Sequence, residues 1–206
     1  MYGVKVSKPG KPSSPQTPLS RDRIGEAALA LIDREGLPAF SARRLASELG
    51  REAMSLYHHA ENMDDVLDLV VDRLMAELAV RPTRDGHPGK VLLAEASRFL
   101  DLAEAHPHAF VLVATRRWRT PNALAAAEVS ITLFRELGAA PRDALRRARI
   151  LGAYLGGAGI ALAAWAKDSD AILAAAPLGA ARAMSAGAVR ADLVAGLKRL
   201  LIALGA

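Results

Sequence analysis

Apolar residues return every three to four positions along most of the chain, which is the period of a helix with one buried face. The first such run is Ile24, Ala27, Ala28, Leu31 and Ile32, between Ser20 and Gly36. Ser20 is placed to cap it and Asp22 lies in its first turn, where a negative charge meets unpaired backbone N–H groups. Asp33, Arg34 and Glu35 fall on the other face and are read as facing water. The stretch from Phe40 to Asp65 is denser. Ser41 can cap a short helix whose inner face carries Leu45, Ala46 and Leu49, and Gly50 follows, where a left-handed residue ends the helix at least cost. A second short helix, about residues 52–59, has Leu56 as its inward anchor, and Phe40 joins the same core. Two helices crossing after so short a turn form a helix-turn-helix, in which the first lies across a DNA backbone and the second enters the major groove.

Asn62 then caps a fourth helix, with Asp65 three residues on as in a capping box, and Val66, Leu67, Val70, Leu74 and Leu78 make its stripe. Residues 81–89, rich in Pro, Gly and charge, form a loop and the natural domain boundary. Further helices are predicted over about residues 90–105, 107–118, 122–137 and 142–167, separated by Pro or Gly and apolar enough to pack on one another. Ile150 to Ala166 carries no charge, but its shortness, its Gly and Ala content and its flanking Arg149 and Lys167 favour a buried helix over a membrane span. Gly152, Gly156, Gly157 and Gly159 would admit a close neighbour. Residues 191–206 supply one through Leu193, Val194, Leu197, Leu200, Leu201 and Leu204. Residues 168–189, rich in small side chains, are read as mobile. The fold class is all-α. Residues 1–18 are read as a disordered basic arm, 19–65 as a helix-turn-helix DNA-binding head, and 66–206 as a helical body whose regulatory, ligand-binding and dimerisation roles rest on a family resemblance.

Composition narrows this only in places. Aromatic and β-branched residues are sparse, which favours helix over strand. There is no cysteine, hence no disulfide and no thiolate site, in keeping with a reducing cytoplasm. No apolar signal core opens the sequence, which argues against secretion. Net charge is +5, yet Arg21 to Met63 holds six basic and seven acidic residues. Any attraction of the head for phosphates must therefore come from where its charges lie. The tail places Lys5, Lys8 and Lys11 among prolines. It is read as a solvated extension, with an arm reaching DNA phosphates as the alternative.

The run Leu45-Ala-x-Glu-Leu-Gly50, then Ser55-Leu56-Tyr57-x-His59, then Asn62 before an apolar helix, resembles the DNA-binding domain of TetR-type (tetracycline-repressor-like) transcriptional regulators. The similarity covers roughly residues 19–78. Beyond it, His106-Pro107 and Pro121-Asn122-Ala123-Leu124 are similar to the tetracycline-repressor-like branch. The resemblance implies a homodimer that holds double-stranded DNA at a palindromic operator and releases it when a small molecule enters the body. It also implies that two helices near the C-terminal end pair with their mates in a four-helix interface.

The same resemblance assigns site residues. Arg43 matches an arginine that reads a base, a task suited to its two-pronged guanidinium, and Arg44 is placed for base or phosphate. Ala53, Met54, Ser55 and His58 face the groove, while Tyr57 and His59 donate to phosphates. Arg51, Glu52 and Met63 depart from the family pattern, which has an apolar residue, a small polar cap and a phosphate-binding lysine there. In the body, Phe99, Phe110, Trp118, Phe134, Tyr154 and Trp165 would line an inducer pocket, any one of them being also a plain core residue.

Other chemistry is thin. No nucleophile elbow, phosphate-cradling glycine loop or HExxH spacing occurs, so no enzyme is assigned. His106-Pro-His108 is read as a surface turn, and no metal or cofactor is assigned. Tetracycline repressors carry a drug–magnesium histidine late in the fourth helix, where this chain has Ala79. Arg116, Arg117 and Arg119 are read as a solvated face, with an anionic ligand as the alternative. A dimeric small-molecule-binding module without DNA function is the rival to a regulator, and an enzyme ranks behind it.

Overall fold

A computed structural model describes residues 18–79, 86–175 and 185–206. Among these residues the protein is all-α: α1 (Arg21–Glu35), a 3-10 turn (Leu37–Ala39), α2 (Ala42–Glu48), α3 (Ala53–Leu56), α4 (Met63–Ala79), α5 (Pro88–Ala105), α6 (Phe110–Thr115), α7 (Pro121–Glu136), α8 (Pro141–Ala175) and α9 (Ala186–Ala203).

The helix ends follow from the sequence. Ser20 Oγ accepts the Arg23 N–H at 3.3 Å, and Ser41 Oγ accepts the Arg44 N–H at 3.4 Å. Asn62 Oδ1 accepts the Asp65 N–H at 2.9 Å, while Asp65 Oδ2 accepts the Glu61 N–H at 3.1 Å. This reciprocal pair satisfies two backbone donors at the start of α4. Gly36 and Gly50 close α1 and α2 at φ +80° and +62°, where a side chain would be strained.

The head is built by α1 packing on α4 while α2 and α3 cover its end. Ile24, Ala28, Leu31 and Ile32 meet Leu45, Leu56, Val66 and Val70, all buried. In the body, α8 is the central strut and packs against α5, α6, α7 and α9, while α4 reaches from the head onto α5, α6 and α7.

Several expected boundaries move. The second helix of the motif is only Ala53–Leu56; Tyr57 and His59 N–H groups bond to Met54 and Leu56, three residues back, so the chain tightens into turns. The helix expected over residues 107–118 shrinks to Phe110–Thr115, because Arg116 to Thr120 leaves the axis to meet α4. Residues 168–189 are not wholly irregular: α8 runs on to Ala175 past a kink at Asp168 (φ −150°, ψ 46°), and α9 begins at Ala186. Most of the proline-rich arm (residues 1–17), most of the loop over 81–89 and residues 176–184 lie outside the described residues. α8 is long and apolar enough to cross a membrane, with mean hydropathy 1.3, yet Leu151, Leu155, Leu162 and Trp165 pack it inside the bundle.

The glycines of α8 work differently from the expectation. No described atom comes within 4 Å of a Cβ built on Gly152 or Gly157. Gly159 instead makes room for the Phe110 ring of α6. The close approach to α9 is made through Tyr154, whose hydroxyl lies over Gly196 and donates to Leu193 O at 2.6 Å.

Candidate nucleic-acid interface and effector core

Leu45, Ala46 and Leu56 are buried, so the opposite sides of α2 and α3 must face outward. Arg43, Met54, Tyr57 and His58 are exposed there, Met54 at 71%. Ala53, Ser55 and His59 are half-buried beside them. Met54 and Tyr57 are both large side chains left exposed on this one face.

The two arginines of α2 differ. Arg44 is held by Glu35 at the end of α1; Glu35 also takes Arg34 at 3.2 Å, and Arg34 in turn takes Glu48. Arg44 and Arg34 hold the Glu35 carboxyl below its ordinary range. Arg44 thus braces α1 against α2, whereas Arg43 is exposed on the same turn and has no intramolecular ion-pair partner among the described residues. On the far side of the motif, Arg21 grips Asp65 through two bonds of 2.8 and 3.1 Å and donates to His59 O. The recognition turn is therefore tied to the start of both α1 and α4.

Of Arg116, Arg117 and Arg119, expected as a solvated face, Arg116 is instead drawn in against α4. Arg116 donates to Asp68 Oδ1 at 2.8 Å, to Asp64 Oδ1 at 3.0 Å and to Asp64 O at 2.9 Å; Arg119 donates to Asp68 Oδ2 at 2.5 Å. Arg117 and Arg119 keep to the expectation in being exposed, Arg119 while paired with Asp68. Asn122, at the start of α7, continues the row with two 2.9 Å bonds to Asp72. Asp64, Asp68 and Asp72 are four residues apart, so they share one face of α4. That spacing was the available signal for a partnered acidic stripe. Asp68 is only 5% exposed, and its two arginines supply the charge that such burial requires.

Of the six residues expected at an effector pocket, three meet. Phe99 stands edge-on to Phe110 at 5.4 Å and tilted to Trp118 at 6.1 Å, and Trp118 Nε1 donates to Val113 O at 2.9 Å. Phe134 is fully buried and Trp165 nearly so, while Tyr154 turns to α9. Two clefts among the described residues lie elsewhere: ≈ 200 Å³ between α4 and α5 beside Glu77 and Arg98, and ≈ 440 Å³ at the head–body corner beside Arg21, Asp64 and Arg119. Among the described residues no three His, Asp or Glu side chains converge to hold a metal ion.

Sequence reasoning also missed His106 and Asp33. Both are partly buried: His106 ends α5 and lies between Asp33 of α1 and Glu77 of α4.

No family model matches the chain. It is 33% identical over 173 residues to an HTH-type transcriptional regulator of Saccharopolyspora erythraea, covering 82% of this chain and 72% of that one. It is also 33% identical over 150 residues to the HTH-type transcriptional repressor DrrR1 of Streptomyces coeruleorubidus, covering 70% of this chain and 54% of that one, so it spans about half that repressor's length. Among solved structures it is similar to the TetR family protein ActR of Streptomyces coelicolor in complex with (S)-DNPA, with a TM-score of 0.73 at 25% identity over 91% of this chain and 98% of that one.

Proposed function

Because this chain belongs to the TetR family of ligand-responsive, DNA-binding transcriptional regulators, we propose that it is a homodimeric repressor that leaves a palindromic operator when a small molecule enters its body. The observation that carries this is the outward face of α2 and α3, where Arg43, Met54, Tyr57 and His58 stand exposed on a braced scaffold. Arg43 reads a base edge, Met54 and Ala53 touch thymine methyls, and Tyr57 and His59 hold phosphates. Ser55 and His58 complete the groove face, and Arg44 fixes the helix that presents Arg43.

Residues 19–65 act as the head and 66–206 as the body. The body offers Phe99, Phe110 and Trp118 as the apolar wall for the effector, with Phe134, Tyr154 and Trp165 deeper in the packing. ActR, similar in fold, is described with (S)-DNPA bound. A ligand wedged beside Phe110 would displace α6, and Arg116 at its end would pull on Asp64 and Asp68 of α4. Ligand and DNA then oppose each other through one shared equilibrium.

A second copy would seat on α8. Ile150, Ala153, Gly157, Ile160, Ala161 and Ala164 are exposed on it, an apolar face broad enough to need a cover. A two-fold pair places two recognition elements about 34–36 Å apart, one turn of DNA.

The test is selection of genomic fragments by the purified protein, followed by sequencing. Enrichment of one inverted repeat is expected, together with its release by an apolar small molecule from a screen. Recovery of fragments without a shared motif would overturn the reading.

A further inference from the structure

His106 closes α5 with a backbone turned out of the helix (φ −126°, ψ 57°). Its ring lies at the meeting point of three helices. Nδ1 is 2.7 Å from Asp33 Oδ2 on α1, and Nε2 is 3.2 Å from Glu77 Oε2 on α4. An ionised carboxylate only accepts hydrogen bonds, and a neutral imidazole carries a single N–H. Both contacts are therefore satisfied together only by the imidazolium. The neutral ring would turn a lone pair toward one of the two carboxylates.

We propose that His106 is a charge-operated latch between head and body, so that operator binding varies with pH through the protonation of this one ring. Asp33 belongs to α1, the spine of the head; Glu77 belongs to α4, the arm that carries the head; His106 belongs to the body. Asp33 Oδ1 is buried with no hydrogen-bond partner, so His106 is the group that balances this carboxylate. The other charges around the ring are engaged. Arg73 lies 3.7 Å from Glu77 Oε1 on α4, and Arg98 of α5 donates to the Glu77 and Leu78 carbonyls. Asp101 and Glu104 of α5 are taken by Arg190 of α9. His108, two residues on, has its Nδ1 buried without a partner and lies near Gly36 at the end of α1.

The two carboxylates, Asp33 foremost, raise the His106 pKa above its ordinary 6.5 against the opposing effect of burial. A raised folded value means that the latch is complete below 6.5 and is lost as pH climbs through the raised value. Ligand-free regulation by pH would then use the same head movement that the effector uses.

The experiment rests on the operator reading for its first readout. Affinity for the DNA fragment recovered in the selection is measured from about pH 6 to about pH 9 at constant ionic strength, with the intact protein, His106→Gln and Glu77→Gln. Imidazole NMR titrations run alongside. The intact protein is expected to show a one-proton step that His106→Gln lacks and that Glu77→Gln moves to lower pH. Superimposable profiles of the intact protein and His106→Gln, or a His106 ring that titrates at its ordinary value, overturn the latch. If no protein binds DNA at any pH, the operator reading fails instead. The latch is then judged by unfolding, where the intact protein should lose stability across the step and His106→Gln should not. Should His106→Gln fail to fold, the shift in Glu77→Gln decides.

Discussion

At the scale of single residues, Arg43 and Arg44 are neighbours that the fold treats differently. The resemblance marks Arg43 for a base and leaves Arg44 open to base or phosphate; the structure adds that Arg44 pairs with Glu35, at the end of α1, while Arg43 stands exposed. Arg43→Ala is expected to weaken binding to the chosen operator by about 1–3 kcal/mol while leaving affinity for random DNA nearly unchanged. Fluorescence anisotropy on both DNAs checks this, and equal losses on the two would make Arg43 a phosphate contact. Gly159 is the second residue-scale case. Its missing side chain is filled by the Phe110 ring, so Gly159→Ala must push that ring aside. A loss of about 1–3 kcal/mol in urea unfolding is expected, as for other overpacked cores. The sequence singled out Gly159 as a place of close approach but named the wrong neighbour, since periodicity along one helix does not say which other helix will face it.

At the scale of elements, the head was legible and the connections were not. Ser20, Ser41, Asn62, Gly36 and Gly50 are local signals, and each ends or starts a helix where expected. The stripe of α1 was equally plain. The polar faces were less legible: Asp33 was expected to face water, and the partners of Asp68 and Asp72 arrive only when other elements bring Arg116, Arg119 and Asn122, as His106 is brought to Asp33. Such pairings span 48 to 73 positions and leave no local trace. Arg116→Ala would leave buried Asp68 with Arg119 alone. We expect a loss of stability of about 1–3 kcal/mol and, in double-titration experiments, a weaker antagonism between effector and DNA. The clamp of Arg21 on Asp65 has its own pH signature. Asp65 is held below its ordinary 3.8, chiefly by Arg21. Its contribution is present above that value and is lost as pH falls through the lowered one. Acid unfolding of Arg21→Ala should therefore begin from a less stable protein and show a shallower decline below about pH 4.

At the scale of the whole molecule, the body is a bundle around α8, one side of which stays bare in the single chain. Leu145, Ile150 and Ile160 are exposed on that helix, and Ile202 is exposed on α9. The uncharged helix of Gly and Ala, expected to be buried, is buried only in part by one chain. Gly157→Glu would set two like charges into the proposed seam of a two-fold pair. Sedimentation should then show a monomer, and operator affinity should fall, because one head contacts one half-site. An unchanged dimer would place the interface on another face.

Two such heads binding one DNA site is the central expectation. The direct measurement is a footprint of the purified protein on DNA upstream of its own coding sequence and of the neighbouring genes, repeated at two salt concentrations. The expected result is one protected, roughly palindromic site whose affinity falls steeply with salt, as counterions released from phosphates require. No protection at low salt by a folded dimer would contradict the regulator and leave a ligand-binding dimer in its place.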